Sequence, residues 1–309
     1  MTKALEQYPD LRSLRVAVRK MYIENSYDER LDELLAGVVE NKMDFDAGAA
    51  SPRRGFFVIG QAGSGKSWSI RRALASNPDL QPRINEYGER RPQYLSLKVG
   101  NKAASINLVS DLLKAMDLPH DGREKKMTDE LMNQFKQRGI WLLHLDELQH
   151  TVRSNTTKAF EAIQDLLKGM LDNEEWPLHM ILSGVDRIKK IEEELQIDRR
   201  SGGLTFYPMT SPANNDRIQG LMTTIAVEAC GLELDDKLKT EEFYERLCMA
   251  KRGAWGTMIE TIQSVSFAAL KRGRRTLKIT DFARDYEATK GCPVSENLFV
   301  APNFRDLDA

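Results

Sequence analysis

The stretch Gly55-Phe56-Phe57-Val58-Ile59-Gly60-Gln61-Ala62-Gly63-Ser64-Gly65-Lys66-Ser67 passes from an apolar run into a glycine-rich turn and ends on a lysine and a hydroxyl. From Gly60 to Ser67 it fits G-x-x-x-x-G-K-S/T in full. The spacing has a mechanical reason. Glycines let the backbone wrap so that successive N–H groups converge on one phosphate. The helix expected from Trp68 would present its N-terminus to the same anion. Lys66 would reach the β- and γ-phosphates as a point charge, and the Ser67 hydroxyl would ligate Mg2+. The expected nucleotide-binding residues are therefore Gly60, Gln61, Ala62, Gly63, Ser64, Gly65, Lys66, Ser67 and Trp68, with ATP and Mg2+ as cofactors. A chance glycine-rich turn is the alternative. The position between a strand-like run and a helical pattern argues against it, because the mechanism demands that order.

Four more apolar runs follow: Gln93 to Val99, Ile140 to Leu145, His179 to Leu182 and Leu204 to Tyr207. Short, nearly continuous apolar runs are how strands buried on both faces of a parallel sheet read. Helical patterns lie between them, at Trp68 to Ala75, Ala104 to Met116, Thr128 to Gln137 and Lys158 to Leu171. The alternation implies an α/β sheet with right-handed crossovers. Upstream, Leu14, Val18, Met21, Leu31, Leu34 and Leu35 recur at helical spacing, and the polar stretch from Asn41 to Arg54 reads as a loop. After Pro208 only helical patterns remain, at Asn214 to Cys230, Thr240 to Cys248, Trp255 to Lys271 and Thr280 to Thr289. The expected organisation is 1–54, N-terminal helices and loop; 55–210, α/β core; 211–290, helical domain; 291–309, extended tail.

Bulk properties narrow the class without naming it. With 41% hydrophobic and 29% charged residues, the chain can bury a sizeable core. A net charge of -1 announces no nucleic-acid binding, although a neutral total can hide a basic face. Cys230, Cys248 and Cys292 are odd in number and too scattered for a zinc-ligand pattern, so reduced thiols are expected. The N-terminus lacks an apolar signal core, and no run approaches the roughly 20 apolar residues that span a bilayer.

The run Ile140-Trp141-Leu142-Leu143-His144-Leu145-Asp146-Glu147 ends an apolar strand in two acids. Parallel sheets deliver ligand-binding groups at the carboxyl ends of strands. Asp146 would hold Mg2+ and Glu147 would orient and deprotonate the attacking water. His144 reads as a packed core residue. Ser183, ending the next strand, is a candidate for bonding the attacking water or phosphate; the plainer alternative is a serine that starts the turn with Gly184. Asp198-Arg199-Arg200-Ser201 precedes the last strand. An arginine there, Arg200 ahead of Arg199, would point at a neighbouring copy's nucleotide and stabilise charge developing during phosphoryl transfer. A solvated basic turn, or an arginine paired with Asp198, is the alternative.

This order of parts resembles the AAA+ superfamily, and within it the TniB/TnsC group of transposition ATPases, with the phage Mu B protein as a more distant relative. The residues that carry the closer resemblance are the Phe57 to Ser67 strand and turn, Leu143-His144-Leu145-Asp146-Glu147-Leu148-Gln149-His150, the strand ending Ser183-Gly184, and Gly253-Ala254-Trp255-Gly256 before a long helix. The resemblance implies an AAA+ P-loop NTPase fold, a parallel five-stranded sheet flanked by helices and followed by a small helical lid. It also implies an ATPase of the bacterial cytoplasm, with no membrane partner. Such a protein would assemble as a homo-oligomeric ring or filament on double-stranded DNA, without sequence preference, and engage a transposase and a target-selector protein. By position, DNA contacts would fall to Lys98, Lys102, Arg153 and Lys158; each could equally be a solvated cation. The lid departs from the superfamily pattern, since Gly256-Thr257-Met258-Ile259 holds no second-sensor arginine and Arg252 is the nearest. The Lys271-Arg272-Gly273-Arg274-Arg275 cluster ends a helix, where cations favour the dipole, and this reading competes with a nucleic-acid patch. A secretion or signalling AAA+ protein with protein partners only is the second function class. A metabolic P-loop kinase fits less well, because a helical domain and an arginine-bearing turn suit ring assembly.

Overall fold

The computed structural model describes residues 8–49, 51, 53–100, 104–151, 157–189, 191 and 203–307. The strands of the main sheet are β1 (Gly55–Gly60), β2 (Tyr94–Lys98), β3 (Leu142–Asp146), β4 (His179–Gly184) and β5 (Leu204–Phe206). In chain order the helices are α1 (Leu11–Lys20), α2 (Asp28–Asp46), α3 (Lys66–Ser76), α4 (Ser105–Ala115), α5 (Glu124–Arg138), α6 (Thr157–Leu171), α7 (Asn215–Met222), α8 (Glu241–Ala250), α9 (Trp255–Lys271) and α10 (Ile279–Lys290). Two compact units emerge: Asn25–Ala62 with Lys66–Phe206, and Met1–Glu24 with Gly63–Gly65 and Tyr207–Ala309.

The first unit is a five-stranded parallel sheet in the order β2-β3-β4-β1-β5. Every residue of β1, β3 and β4 is buried, which is why these strands read as continuous apolar runs. The edge strand β2 is only partly covered. Successive residues of each strand serve opposite faces. Phe57, Ile59, Leu143, Leu145 and Met180 pack with Val109 and Leu112 of α4, Leu131 and Phe135 of α5, and Ile163 and Leu167 of α6. Phe56, Val58, Leu142 and Ile181 pack with Leu31, Leu35 and Val38 of α2 and Ile70 and Leu74 of α3. The chain leaves β1 for the far edge at β2 and later returns to place β5 on the other side of β1. That reversal is the switch point at which open α/β sheets bind ligands, beyond the carboxyl ends of their strands. Helix α2 runs to Asp46, past the loop start expected at Asn41. Asn41 is buried and bonded to His179, so polarity there marks an internal hydrogen bond, not a loop.

The second unit is helical, with one apolar core. Asp10 caps α1 by accepting from the Ser13 N–H at 2.6 Å, and Leu14 and Val18, one turn apart, bury its inner face in that core. Gln263 of α9 donates to the Val18 carbonyl at 3.2 Å. The helix expected over Asn214 to Cys230 is two pieces, α7 and a π-helical turn over Thr223–Ala229. The C-terminal stretch does not trail free as an extended tail. Leu298, Phe299, Ala301 and Phe304 are buried in the helical core. Arg246 of α8 donates to the carbonyls of Leu298 at 2.6 Å and Ala301 at 3.0 Å while its guanidinium lies 3.9 Å from the Phe304 ring centre. Among the described residues no helix is long and apolar enough to cross a membrane. All three cysteines are free thiols. Burial pushes those of Cys230 and Cys248 up to about 12 and about 11, so they stay protonated.

Candidate functional site

The turn that follows β1 depends on glycine where it matters. Gly63 and Gly65 have φ of 75° and 96°, in the left-handed region that side chains disfavour. Within the helical unit, the Gly63 carbonyl accepts from the N–H groups of Gly256 at 2.7 Å and Thr257 at 3.3 Å. A Cβ at Gly256 would lie 2.7 Å from that carbonyl oxygen, so no side chain fits there. This gives a physical reason for the missing arginine at the start of α9. Helix α3 begins at Lys66, two residues before the expected start, so its first turn belongs to the motif itself. Trp68 is half-exposed, with the Arg71 guanidinium 4.9 Å from its ring centre.

Lys66 is 6% exposed, and its ammonium donates to the Gly60 carbonyl at 2.6 Å and to Gln61 at 2.9 Å. Burial lowers its pKa, opposed by the negative charges of Glu147 and Asp146. The cation is thus held at the carboxyl end of β1, facing the acids that end β3.

Asp146 is the focus of the acidic end. Its Oδ1 accepts from the Ser183 hydroxyl at 2.7 Å and from the Glu147 N–H at 3.0 Å, and its carboxylate also bonds the Ser67 side chain. Burial alone would raise its pKa; the bonds from Ser183 and Ser67 outweigh it and hold the carboxyl below the usual range. Glu147 sits at φ 59°, a left-handed conformation uncommon for a non-glycine residue. Gln149 donates its amide N–H to Glu147 Oε2, and its own Oε1 accepts from the Val185 N–H at 3.2 Å. His150 Nε2 lies 3.9 Å from the same Glu147 oxygen. The Asp146 to His150 run therefore works as a clasp between the ends of β3 and β4.

These residues suit a magnesium–nucleotide pair. A hydroxyl and a carboxylate are hard oxygen donors, the small protein share Mg2+ takes when phosphates complete its shell. Among the described residues no group of three or more His, Cys, Asp or Glu side chains could hold a metal by itself.

Two histidines are buried in the sheet, His144 beside this machinery and His179 at the start of β4, the opposite end. Burial drives His144 down to about 4 and His179 down to about 3, so both rings are neutral at pH 7. In each case the folded pKa lies below the unfolded value near 6.5, so the unfolded chain binds more protons as pH falls. Stability from the neutral rings is complete above about pH 6.5 and is lost as pH drops toward 4. Each ring is expected to cost about 2 kcal/mol of unfolding free energy between pH 7 and pH 5. Urea unfolding at the two pH values measures this, and equal stabilities would show that the rings are not buried neutral.

Two of the remaining candidates fall among the described residues. Lys98 ends β2, is exposed, and is the register partner of Asp146. Lys158 is an exposed residue at the start of α6. Lys102, Arg153, Arg199 and Arg200 lie outside the described residues. In the basic cluster after α9, Arg274 makes a two-pronged bond to Asp281, whose side chain is 2% exposed, as expected of a structural helix end. Sequence reasoning did not find the roles of Gln149 and His144; the Asp-Glu-x-Gln-His spacing marks Gln149, whereas His144 gives no local signal.

Residues 50–192 match a protein family described as "AAA domain". No curated protein matches the chain. Among solved structures, the Aeropyrum pernix ORC1 protein in complex with DNA is similar, with a TM-score of 0.61 and 15% identity over 89% of this chain and 69% of that one. CDC6P from Pyrobaculum aerophilum is similar with a TM-score of 0.55 and 14% identity, over 91% of this chain and 75% of that one. The Aeropyrum pernix ORC2 protein, solved as ADPNP-ADP complexes, gives 0.57 and 14% over the same shares. At these identities the likeness is one of fold: a P-loop AAA+ sheet followed by a helical region.

Proposed function

We propose that this AAA+ fold hydrolyses ATP with Mg2+ and uses the nucleotide to assemble on duplex DNA as a regulator of DNA transposition. The observation that carries the hydrolytic part is the meeting of Lys66 and Ser67, at the start of α3, with Asp146 and Glu147 at the end of β3. Lys66 binds the β- and γ-phosphates. Ser67 and Asp146 hold Mg2+, which when bound neutralises charge on the phosphate oxygens. Glu147, placed by Gln149, takes the proton of the attacking water. Arg200, or Arg199 beside it, reaches the nucleotide of a neighbouring copy.

The DNA part is supported by the resemblance of the Asp146 to His150 run to transposition ATPases, and by a structural neighbour solved with DNA. The transposase and target-selector protein would then be partners of the assembled form. With a net charge of -1, a monomer offers few phosphate contacts, and stacking copies along a duplex multiplies them. Binding is therefore expected to require ATP-driven assembly, to ignore sequence, and to weaken steeply with salt. Replacing Lys98 and Lys102 together with Ala is expected to weaken binding on all duplexes alike. The salt slope should become shallower by about one for each lost phosphate contact. Fluorescence anisotropy on two unrelated duplexes, with and without a slowly hydrolysed ATP analogue over a salt series, checks this. Nucleotide binding is measured in parallel, because Lys98 stands next to Asp146 in the sheet. If the unaltered protein shows no analogue-dependent binding to either duplex at low salt, the protein-only AAA+ alternative replaces the transposition reading.

A further inference from the structure

Polar side chains line up across the sheet face that packs on α2 and α3. Ser96 of β2 is the register partner of His144 on β3, and its hydroxyl lies 2.8 Å from His144 Nδ1. The other ring nitrogen, Nε2, lies 3.1 Å from Ser183 Oγ on β4, and that hydroxyl donates to Asp146 Oδ1 at 2.7 Å. His144 is 1% exposed and Ser183 0%. Leu142, Leu143 and Leu145 surround it in β3, which ends on Asp146, so an imidazole at 144 is a desolvated polar group in a largely apolar strand.

Counting protons gives the chain a direction. An ionised carboxylate only accepts, so the single Ser183 proton points at Asp146. The Ser183 oxygen can then only accept from the ring, which puts the imidazole hydrogen on Nε2. A neutral imidazole carries one N–H, so Nδ1 is bare and accepts from the Ser96 hydroxyl. Every donor from the edge strand inward points toward Asp146.

We propose that His144 is a positioning residue for Asp146: acting through Ser183, it fixes the rotation of the carboxylate that holds Mg2+. The proposal rests on the Mg2+–ATP reading above, and it assigns Ser183 to the metal acid in place of the attacking water or phosphate. Without the ring, nothing locks the Ser183 hydroxyl. Its other acceptor, the Leu145 carbonyl at 3.5 Å, then competes for the proton, and the Asp146 carboxylate is left with the Glu147 N–H and the Ser67 side chain. Groups that orient metal ligands in this way typically change metal affinity by about 10- to 100-fold when removed.

The test uses the full chain and three readouts. Nitrogen-15 NMR of histidine-labelled protein is expected to show His144 as the Nε2–H tautomer; the Nδ1–H tautomer overturns the proposal. In His144→Phe, the Mg2+ concentration that half-saturates binding of a slowly hydrolysed fluorescent ATP analogue is expected to rise about tenfold or more, while binding in EDTA changes less than about twofold. His144→Gln, whose amide N–H can still serve Ser183, is expected to recover most of that loss. An unchanged Mg2+ requirement in His144→Phe overturns the role. If His144→Phe fails to fold, Ser183→Ala carries the same comparison with the same opposing outcomes. Phosphate release by the unaltered protein tests the hydrolysis reading separately. A chain that hydrolyses ATP yet shows the wrong tautomer or an unchanged Mg2+ requirement overturns the positioning role alone.

Discussion

Glu147→Gln protein is expected to bind ATP as tightly as the unaltered chain and to release phosphate about 1000-fold more slowly. The amide matches the carboxylate in shape, and its oxygen can still accept from Gln149, so the clasp at the end of β3 stays closed. It cannot take a proton from water. Asp146 and Ser67 are untouched, so the metal side of the site is expected to survive. Binding and chemistry should therefore separate, which is the signature of a group acting only in the transition state. Gln149→Ala is the informative companion. It leaves the base in place but removes the amide that holds it to Val185, and Glu147 at φ 59° then has less to keep it in a disfavoured conformation. A loss of about tenfold is expected, since misplacement costs less than removal of the base. Single-turnover phosphate release beside an equilibrium binding titration measures both. Unchanged turnover in Glu147→Gln would take Glu147 out of the mechanism, whatever Gln149→Ala does.

The parts of this fold that could be read from the chain are those whose physics is local. The Gly60 to Ser67 turn is legible because wrapping backbone around a phosphate needs glycines at fixed steps. β1, β3 and β4 are legible because two buried faces leave no polar alternation to confuse them. The hidden parts depend on neighbours distant in sequence. Ser96, His144 and Ser183 meet only through strand register, at separations of 48 and 39 residues, so no motif spacing could reveal them. The stretch after Gly291 docks through isolated apolar residues and Arg246 from α8, and its lack of period reads as a tail. α1 shows its amphipathic face plainly, yet nothing in that face says that its partner is α9, whose Gln263 lies 245 residues beyond Val18.

Lys66→Met is expected to lower ATP affinity by at least about 100-fold, because charge-assisted bonds are worth about 1.5–3 kcal/mol each and on the proposed reading the ammonium would serve two phosphates. The same change should leave the nucleotide-free protein at least as stable as before. Burial is the largest influence on the Lys66 proton and weakens it, so the unfolded chain holds that proton more firmly than the folded one. At neutral pH the charged ammonium is thus a burden on folding, and an unbranched thioether of similar length removes it without opening a large cavity. The two effects point in opposite directions and can be read in one experiment. In thermal unfolding, the unaltered protein should gain midpoint temperature as Mg2+ and an ATP analogue are added, following the mass-action stabilisation of a ligand that binds only the folded chain. The Lys66→Met protein should start at the same temperature or higher and gain almost nothing. A gain as large as that of the unaltered chain would mean that Lys66 does not grip the phosphates. A much lower starting midpoint would mean that its bonds to Gly60 and Gln61 stabilise the turn more than burial penalises the charge.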